Sequence, residues 1–346
     1  MSIVLKNPPA SSQSILRNWI TNHEIILFFL GTFVLTWTVY GLLAIVHLEN
    51  KDTASRILLI AAYAPTISAL VLSAISKPEV RKINTSNTLI LCILVLIVAT
   101  GIEVLDHIFW EHQIDLGLIL LSAVMVTLAA LIITRLLTNR ADAKLSITGV
   151  RQWRFWLWVP FALGLWPLLV VTTNTIARLF GLSVPANPIP PDVTFPVLLI
   201  ESFFWALLFG GGLNEESGWR GFALPRLQWQ FSPLIASIII GTFWGLWHVP
   251  LHVMDVGMYG GNPWGALIRI MDIPRAVLFT WLYNRTKGSL LIAMLFHAAI
   301  NTTSYFMSRS HVVVFALVFI VAISLIIIDK MWHKLPSDAQ DCQRIS

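Results

Sequence analysis

The sequence predicts an all-α polytopic membrane protein of about ten transmembrane helices. Three observations point there. First, only 12% of the 346 residues are charged and 56% are hydrophobic, against about 25% charged in an ordinary soluble domain. With a mean hydropathy of +0.75, the chain needs lipid as its solvent. Second, the apolar residues fall into runs of roughly the 17–25 residues that a helix needs to cross a bilayer. No barrel-like alternation is present, so each run must satisfy its own backbone amides as a helix. Third, the 15 Trp residues suit the aromatic belts of membrane interfaces.

Taken in order, the predicted spans are 25–46, 57–75, 88–105, 116–137, 155–177, 195–213, 234–253, 264–283, 289–305 and 312–328. The first run is long enough to span, which makes it an anchor and not a cleaved leader. The third and eighth are the least clean, because Glu103 lies in one and Arg269, Asp272 and Arg275 in the other. Loop charge supports the count. With the N-terminus inside, 17 Lys and Arg residues fall in inner loops, and only Lys51, Arg56, Arg178 and Arg309 in outer ones. By the positive-inside rule both termini are then cytoplasmic, in a multi-pass protein of the plasma membrane. The formal charge of +5 is explained by this topology, and no nucleic-acid partner is expected. Cys92 in an apolar run and Cys342 in the tail offer no disulfide framework. The chain divides into N-terminal membrane helices (1–192), a central helical region (193–305), and a last span with a short tail (306–346). No internal repeat is visible.

Ionisable groups inside spans are costly and by default mark function. Glu103 near a span end reads as interfacial, and Glu201 as a capping or pairing acid. Arg269, Asp272 and Arg275 stand at i, i+3, i+6, so Asp272 can pair with either arginine; a structural ion cluster is favoured there over a substrate site. The stretch "GGGLNEESGWRGF", Gly210–Phe222, is different. If the sixth helix continues past its glycines, Glu216 and Arg220 pair at i, i+4 and leave Glu215 pointing elsewhere. In the seventh span Trp244 and His248 share a face, and Gly241 and Gly245 form a small-xxx-small pair that permits close helix approach. In the ninth, His297 and Asn301 share a face. With a turn near Gln230–Pro233, Glu215 and His248 each lie about 15 residues, or roughly 22 Å, from it, so they sit at a similar depth. A lone intramembrane His or Asn is often only an interhelical hydrogen-bonding group; the set taken together is harder to explain that way.

These motifs resemble a known family. "EESGWR" (Glu215–Arg220) is similar to the EExxxR motif of the CPBP intramembrane proteases, which include type II CAAX prenyl endopeptidases and bacteriocin-processing and self-immunity proteins. Trp244–His248 resembles that family's FxxxH, with Trp in place of Phe, a conservative aromatic change. His297–Asn301 resembles its HxxxN. The resemblance covers roughly residues 193–305 and implies an intramembrane endopeptidase acting on membrane-associated peptides, of prenylated CaaX-like or bacteriocin type. It implies that Glu215 is the general base, aided by His248, that His297 and Asn301 hydrogen-bond the oxyanion, and that Glu216 and Arg220 organise the site. Both a metallo- and a glutamic-type mechanism stay open. There is no HExxH, and Pro250 separates His248 from His252, yet Glu215, His248 and His297 are chemically suitable zinc ligands. Metal-independent water activation is favoured. Two other classes fit the residues: a secondary transporter, which also uses glycine-interrupted helices, and a non-catalytic immunity protein of the same fold. Its expected partners are the bilayer and a peptide or protein substrate.

Overall fold

The computed structural model describes residues 12–46, 51–76, 153–187, 195–254, 263–337 and 339–340, with isolated positions between 93 and 132. The expected third and fourth spans, Glu103 and both cysteines lie wholly or largely outside the described residues. Within them every regular element is helical. α1 (Ser12–Asn22) leads into α2 (Glu24–Val46), and α3 (Lys51–Ala61) into α4 (Ala64–Ser76). Then come α5 (Trp158–Leu179), α6 (Phe195–Leu208), α7 (Gly212–Gly218) and α8 (Leu224–Gln230). The last four are α9 (Pro233–Val253), α10 (Asp272–Arg285), α11 (Leu290–Phe306) and α12 (His311–Ile328).

Among the described residues six runs are long and apolar enough to cross a membrane: Glu24–Val46, Thr53–Ser76, Trp158–Leu179, Phe195–Gln230, Pro233–Val253 and His311–Ile328. Leu290–Phe306 is a shorter apolar helix. These are the expected first, second, fifth, sixth, seventh, tenth and ninth spans. Two expectations change. The sixth span does not stop near residue 213 but continues, broken once, to Gln230. The eighth is not one helix: 3-10 turns over Pro263–Met271 precede α10. Pro274 explains the switch, since without an N–H it cannot bond the carbonyl of Ile270 and an α-ladder cannot run through that turn.

In lipid, apolar burial gives helices little reason to associate, so close backbone approach at small residues matters more. A Cβ on Gly241 would lie 2.5 Å from the Ile273 Cα, and one on Gly245 would lie 2.8 Å from the Arg269 carbonyl oxygen. The glycine pair expected to admit a neighbour therefore receives the start of α10 and the 3-10 turns before it. Elsewhere the core is aromatic. Phe28 meets Trp219 edge-on and stacks on Phe222, both at 5.3 Å.

Polar contacts gather at the two ends. Arg17 Nη2 donates to the Ser76 carbonyl at 2.7 Å, and Glu24 accepts from Arg226 at 2.6 Å. Ser76 also bonds Glu24, Leu234 N donates to Met331 O at 2.9 Å, and Arg285 pairs with Asp329. Arg17, Arg226 and Arg285, which charge counting puts on one side, thus share one end of the bundle. At the other end the Asn174 carboxamide holds Ser308 and Ser310.

Candidate active site

The site is built around a break in a membrane helix. α6 ends at Leu208 and α7 starts at Gly212; between them Gly211 has φ +115°. Only glycine adopts that backbone without strain. A Cβ there would also fall 2.2 Å from His297 Nε2, so the ring of His297 occupies the space a side chain would take. Breaking a helix within lipid strands backbone groups. Asn214 recovers them: its Oδ1 accepts from Gly211 N at 2.7 Å and its Nδ2 donates to Phe209 O at 3.0 Å. Thr66 Oγ1, from α4, donates to the Asn214 carbonyl at 2.6 Å. Asn301 Nδ2 donates to Gly210 O. After α7 the helix widens to a π-turn over Trp219–Ala223, an insertion common at functional sites, and Arg220 lies in it.

Glu216 and Arg220 are the centre. Arg220 Nη1 donates to Glu216 Oε1 at 2.9 Å, and both side chains are 0% exposed. The same oxygen accepts from His297 Nδ1 at 2.7 Å. Such a buried charge is tolerable only because it is paired. The guanidinium is also held between rings, 4.0 Å from the Phe279 centroid and 4.7 Å from that of Trp244. Glu215 is buried beside them, and its Oε2 accepts from Trp244 Nε1 at 2.7 Å. His248 Nδ1 donates to the Trp244 carbonyl at 2.8 Å, which leaves Nε2 as its acceptor atom. The Trp244 ring lies 5.8 Å from His248 and 5.6 Å from His297.

Glu215, Glu216, Arg220, Trp244, His248, His297 and Asn301 are therefore drawn from three segments of chain into one buried cluster. Three features differ from expectation. The hydrogen-bond partner of Glu215 among the described residues is Trp244, one turn before His248, and not His248 itself. Trp in place of Phe is not neutral, because only the indole has an N–H to give that carboxylate. One Asn301 amide hydrogen is already committed to Gly210 O. Gly211, Asn214 and Phe279 also belong to the cluster and were not singled out from sequence. The glycine triplet followed by Asn was the available signal for the first two; Phe279 gave none.

The second charged group is separate in its bonding. Asp272, fully buried, pairs with Arg275 at 2.9 Å and with Arg269 at 3.5 Å, thus with both of its possible partners. Arg269 Nε donates to His252 Nε2 at 2.8 Å. Glu201 is buried in α6 and has a partner of its own.

A zinc ion would need Glu215, His248 and His297 to converge. Among the described residues no three His, Cys, Asp or Glu side chains are grouped to hold a metal. Each of the three has one polar atom committed: Glu215 Oε2 to Trp244, His248 Nδ1 to a carbonyl, His297 Nδ1 to Glu216. These bonds leave Glu215 Oε1, His248 Nε2 and His297 Nε2 uncommitted. A ring nitrogen held in this way is also what a metal-ligating histidine shows, so what speaks against a metal is the lack of grouping among the described residues.

Comparison with known proteins agrees with the motifs. Residues 196–303 match the model of the type II CAAX prenyl endopeptidase Rce1-like family. A curated relative, "CAAX prenyl protease 2" of Methanococcus maripaludis, is 27% identical over 180 residues. In this central region the chain is similar to the type II CAAX prenyl endopeptidases. That match covers 50% of this chain and 66% of the relative. The family region begins in α6 and ends in α11, so it contains the whole cluster around Glu216.

Proposed function

We propose that this protein is an intramembrane endopeptidase that hydrolyses peptide bonds of membrane-associated substrates, with prenylated CaaX-like or bacteriocin-type peptides as the candidate classes. The observation that carries this is the division of labour between adjacent acids. Glu216 braces Arg220 and His297 through Oε1 and is sealed from the surface, its Oε2 buried without a described partner, while Glu215 retains 6% exposure and keeps Oε1 clear of any described partner. A carboxylate so placed can take a proton from water.

In the proposed reaction, water lies between Glu215 Oε1 and His248 Nε2, which accepts one of its hydrogens and orients it. Glu215 removes a proton as the water oxygen bonds to the scissile carbonyl carbon. His297, through Nε2, and the remaining amide hydrogen of Asn301 donate to the oxyanion; His297 does so in its protonated form, with Nδ1–H held by Glu216. The carbon–nitrogen bond then breaks, and Glu215 returns its proton to the leaving amine. Preorganisation is supported by the aromatic walls and by paired groups that need not move during the reaction. We propose that no metal takes part, a reading supported by the poor convergence of the three candidate ligands. We also place the end carrying Arg17, Arg226 and Arg285 in the cytoplasm, at the plasma membrane, on the positive-inside rule.

The test is cleavage of a panel of membrane-associated peptides by the purified protein in detergent. Products from wild type and none from Glu215→Gln are expected. If no peptide is cut but a labelled solute crosses proteoliposomes, the protein is a transporter. If peptide binds without turnover, it is an immunity or binding protein of this fold.

A further inference from the structure

The second membrane run is broken as well as the sixth. Within Thr53–Ser76, α3 ends at Ala61 and the helix resumes as α4 at Ala64. Pro65 is the cause, since it has no N–H to give the Ala61 carbonyl one turn back. Thr36 Oγ1, from α2, donates to that carbonyl at 3.2 Å. The two breaks face each other. Tyr63 stands in the break of the second run, and its Oη donates at 2.9 Å to the carbonyl of Leu208, the last residue of α6. Its fully buried ring packs in one cluster with Phe209 and Leu213, which flank the glycine triplet in sequence. Thr66 Oγ1 donates to Asn214 O at 2.6 Å. Between these two bonds Pro65 lies so close to α7 that a Cβ on Gly218 would fall 2.5 Å from the Pro65 carbonyl carbon.

The backbone carries this contact to the chemistry. A carbonyl released by a break in lipid has no solvent to turn to, so the side chain that satisfies it also fixes where it lies. Tyr63 holds Leu208 O, Asn214 holds Phe209 O and Gly211 N, and Thr66 holds Asn214 O. In the middle of this set, Gly210 O accepts from Asn301 Nδ2. A carboxamide is planar, so the hydrogen aimed at Gly210 also sets the direction of the other one, the hydrogen assigned to the oxyanion. A shift of the Gly210 carbonyl turns that donor away.

We propose that Tyr63 and Thr66 are positioning residues for peptide hydrolysis, which fix the break in the sixth span and through it aim Asn301 at the oxyanion. Both act through other residues, and both lie outside residues 196–303, the stretch that matches the family model. This inference rests on the protease reading.

The test is kcat and KM for one susceptible peptide, measured on the full-length protein in nanodiscs. Tyr63→Phe removes one oxygen and keeps the ring; kcat should fall about tenfold with KM unchanged. Thr66→Val should behave alike, and Thr66→Ser should recover most of the loss. In an Asn301→Ala background Tyr63→Phe should cost nothing further, because the donor it aims is gone. Unchanged kcat overturns the proposal, as does a loss confined to KM. So do losses in Tyr63→Phe and Asn301→Ala that multiply in the double variant. A lowered melting temperature with full kcat marks a purely structural role and overturns it too. Amide hydrogen exchange over residues 208–214 is followed on the same samples, with faster exchange expected in Tyr63→Phe and Thr66→Val. If wild type cuts no peptide, the protease reading falls, and exchange alone then decides whether these side chains fix the break; unchanged exchange would overturn that as well.

Discussion

Glu216 and Asp272 are both fully buried acids, and each holds an arginine within one helical turn, yet they end in different arrangements. Asp272 gives one oxygen to Arg275 and the other to Arg269, which in turn donates to His252. Glu216 collects Arg220 and His297 on a single oxygen, and the acid just before it, Glu215, is bonded to Trp244. Burial and ion pairing are common to both and so do not mark a reacting site. What distinguishes the first cluster is a neighbouring carboxylate and two imidazoles that each keep one atom uncommitted.

Substitutions can break this contrast, the strongest first. Glu216→Gln leaves Arg220 a buried cation without its counter-charge, a loss of about 3–5 kcal/mol, and it frees His297; peptide cleavage and thermal stability should both collapse. Gly211→Ala drives a methyl group into the space of His297 Nε2 and strains a positive φ. A displacement of that kind is expected to cost about 100-fold in kcat, read from cleavage rates of the folded protein. Trp244→Phe keeps an aromatic ring but removes the bond to Glu215. Hydrogen bonds to charged groups are worth about 1.5–3 kcal/mol, so kcat should fall about tenfold or more, with KM unchanged. Asp272→Asn has the smallest effect on chemistry. It should lower the melting temperature while leaving kcat on a susceptible peptide close to that of wild type. An equal loss of kcat there would show that the two clusters act as one.

Much of the site was legible because helical periodicity fixes faces. Glu216 with Arg220, Trp244 with His248, and His297 with Asn301 are all i, i+4 pairs, and Gly241 with Gly245 marked a close approach that the structure contains. The turn near Gln230–Pro233 was legible from composition and is where α8 gives way to α9. Other features depend on the fold. That Glu215 meets the Trp244 indole follows from the relative rotation of two helices, to which the π-turn over Trp219–Ala223 contributes. Local sequence does not contain that rotation. Gly211 could be noted as a glycine, but its positive φ and the imidazole lying over it come from α11, 86 residues away in sequence at His297. The eighth span misled because hydropathy does not register that Pro274 interrupts the ladder.

The central claim is that Glu215, with His248, handles the water without a metal. The most direct measurement is the single-turnover cleavage rate of one susceptible peptide by wild type, Glu215→Gln and His248→Ala, each with and without a chelator. Loss of a positioned base costs about 10²–10⁴ in rate. The expected result is a fall of that size in Glu215→Gln, a smaller fall in His248→Ala, and no effect of the chelator on wild type. Unchanged cleavage in both variants would contradict the site assignment, and activity lost to chelator and restored by zinc would contradict the metal-free mechanism.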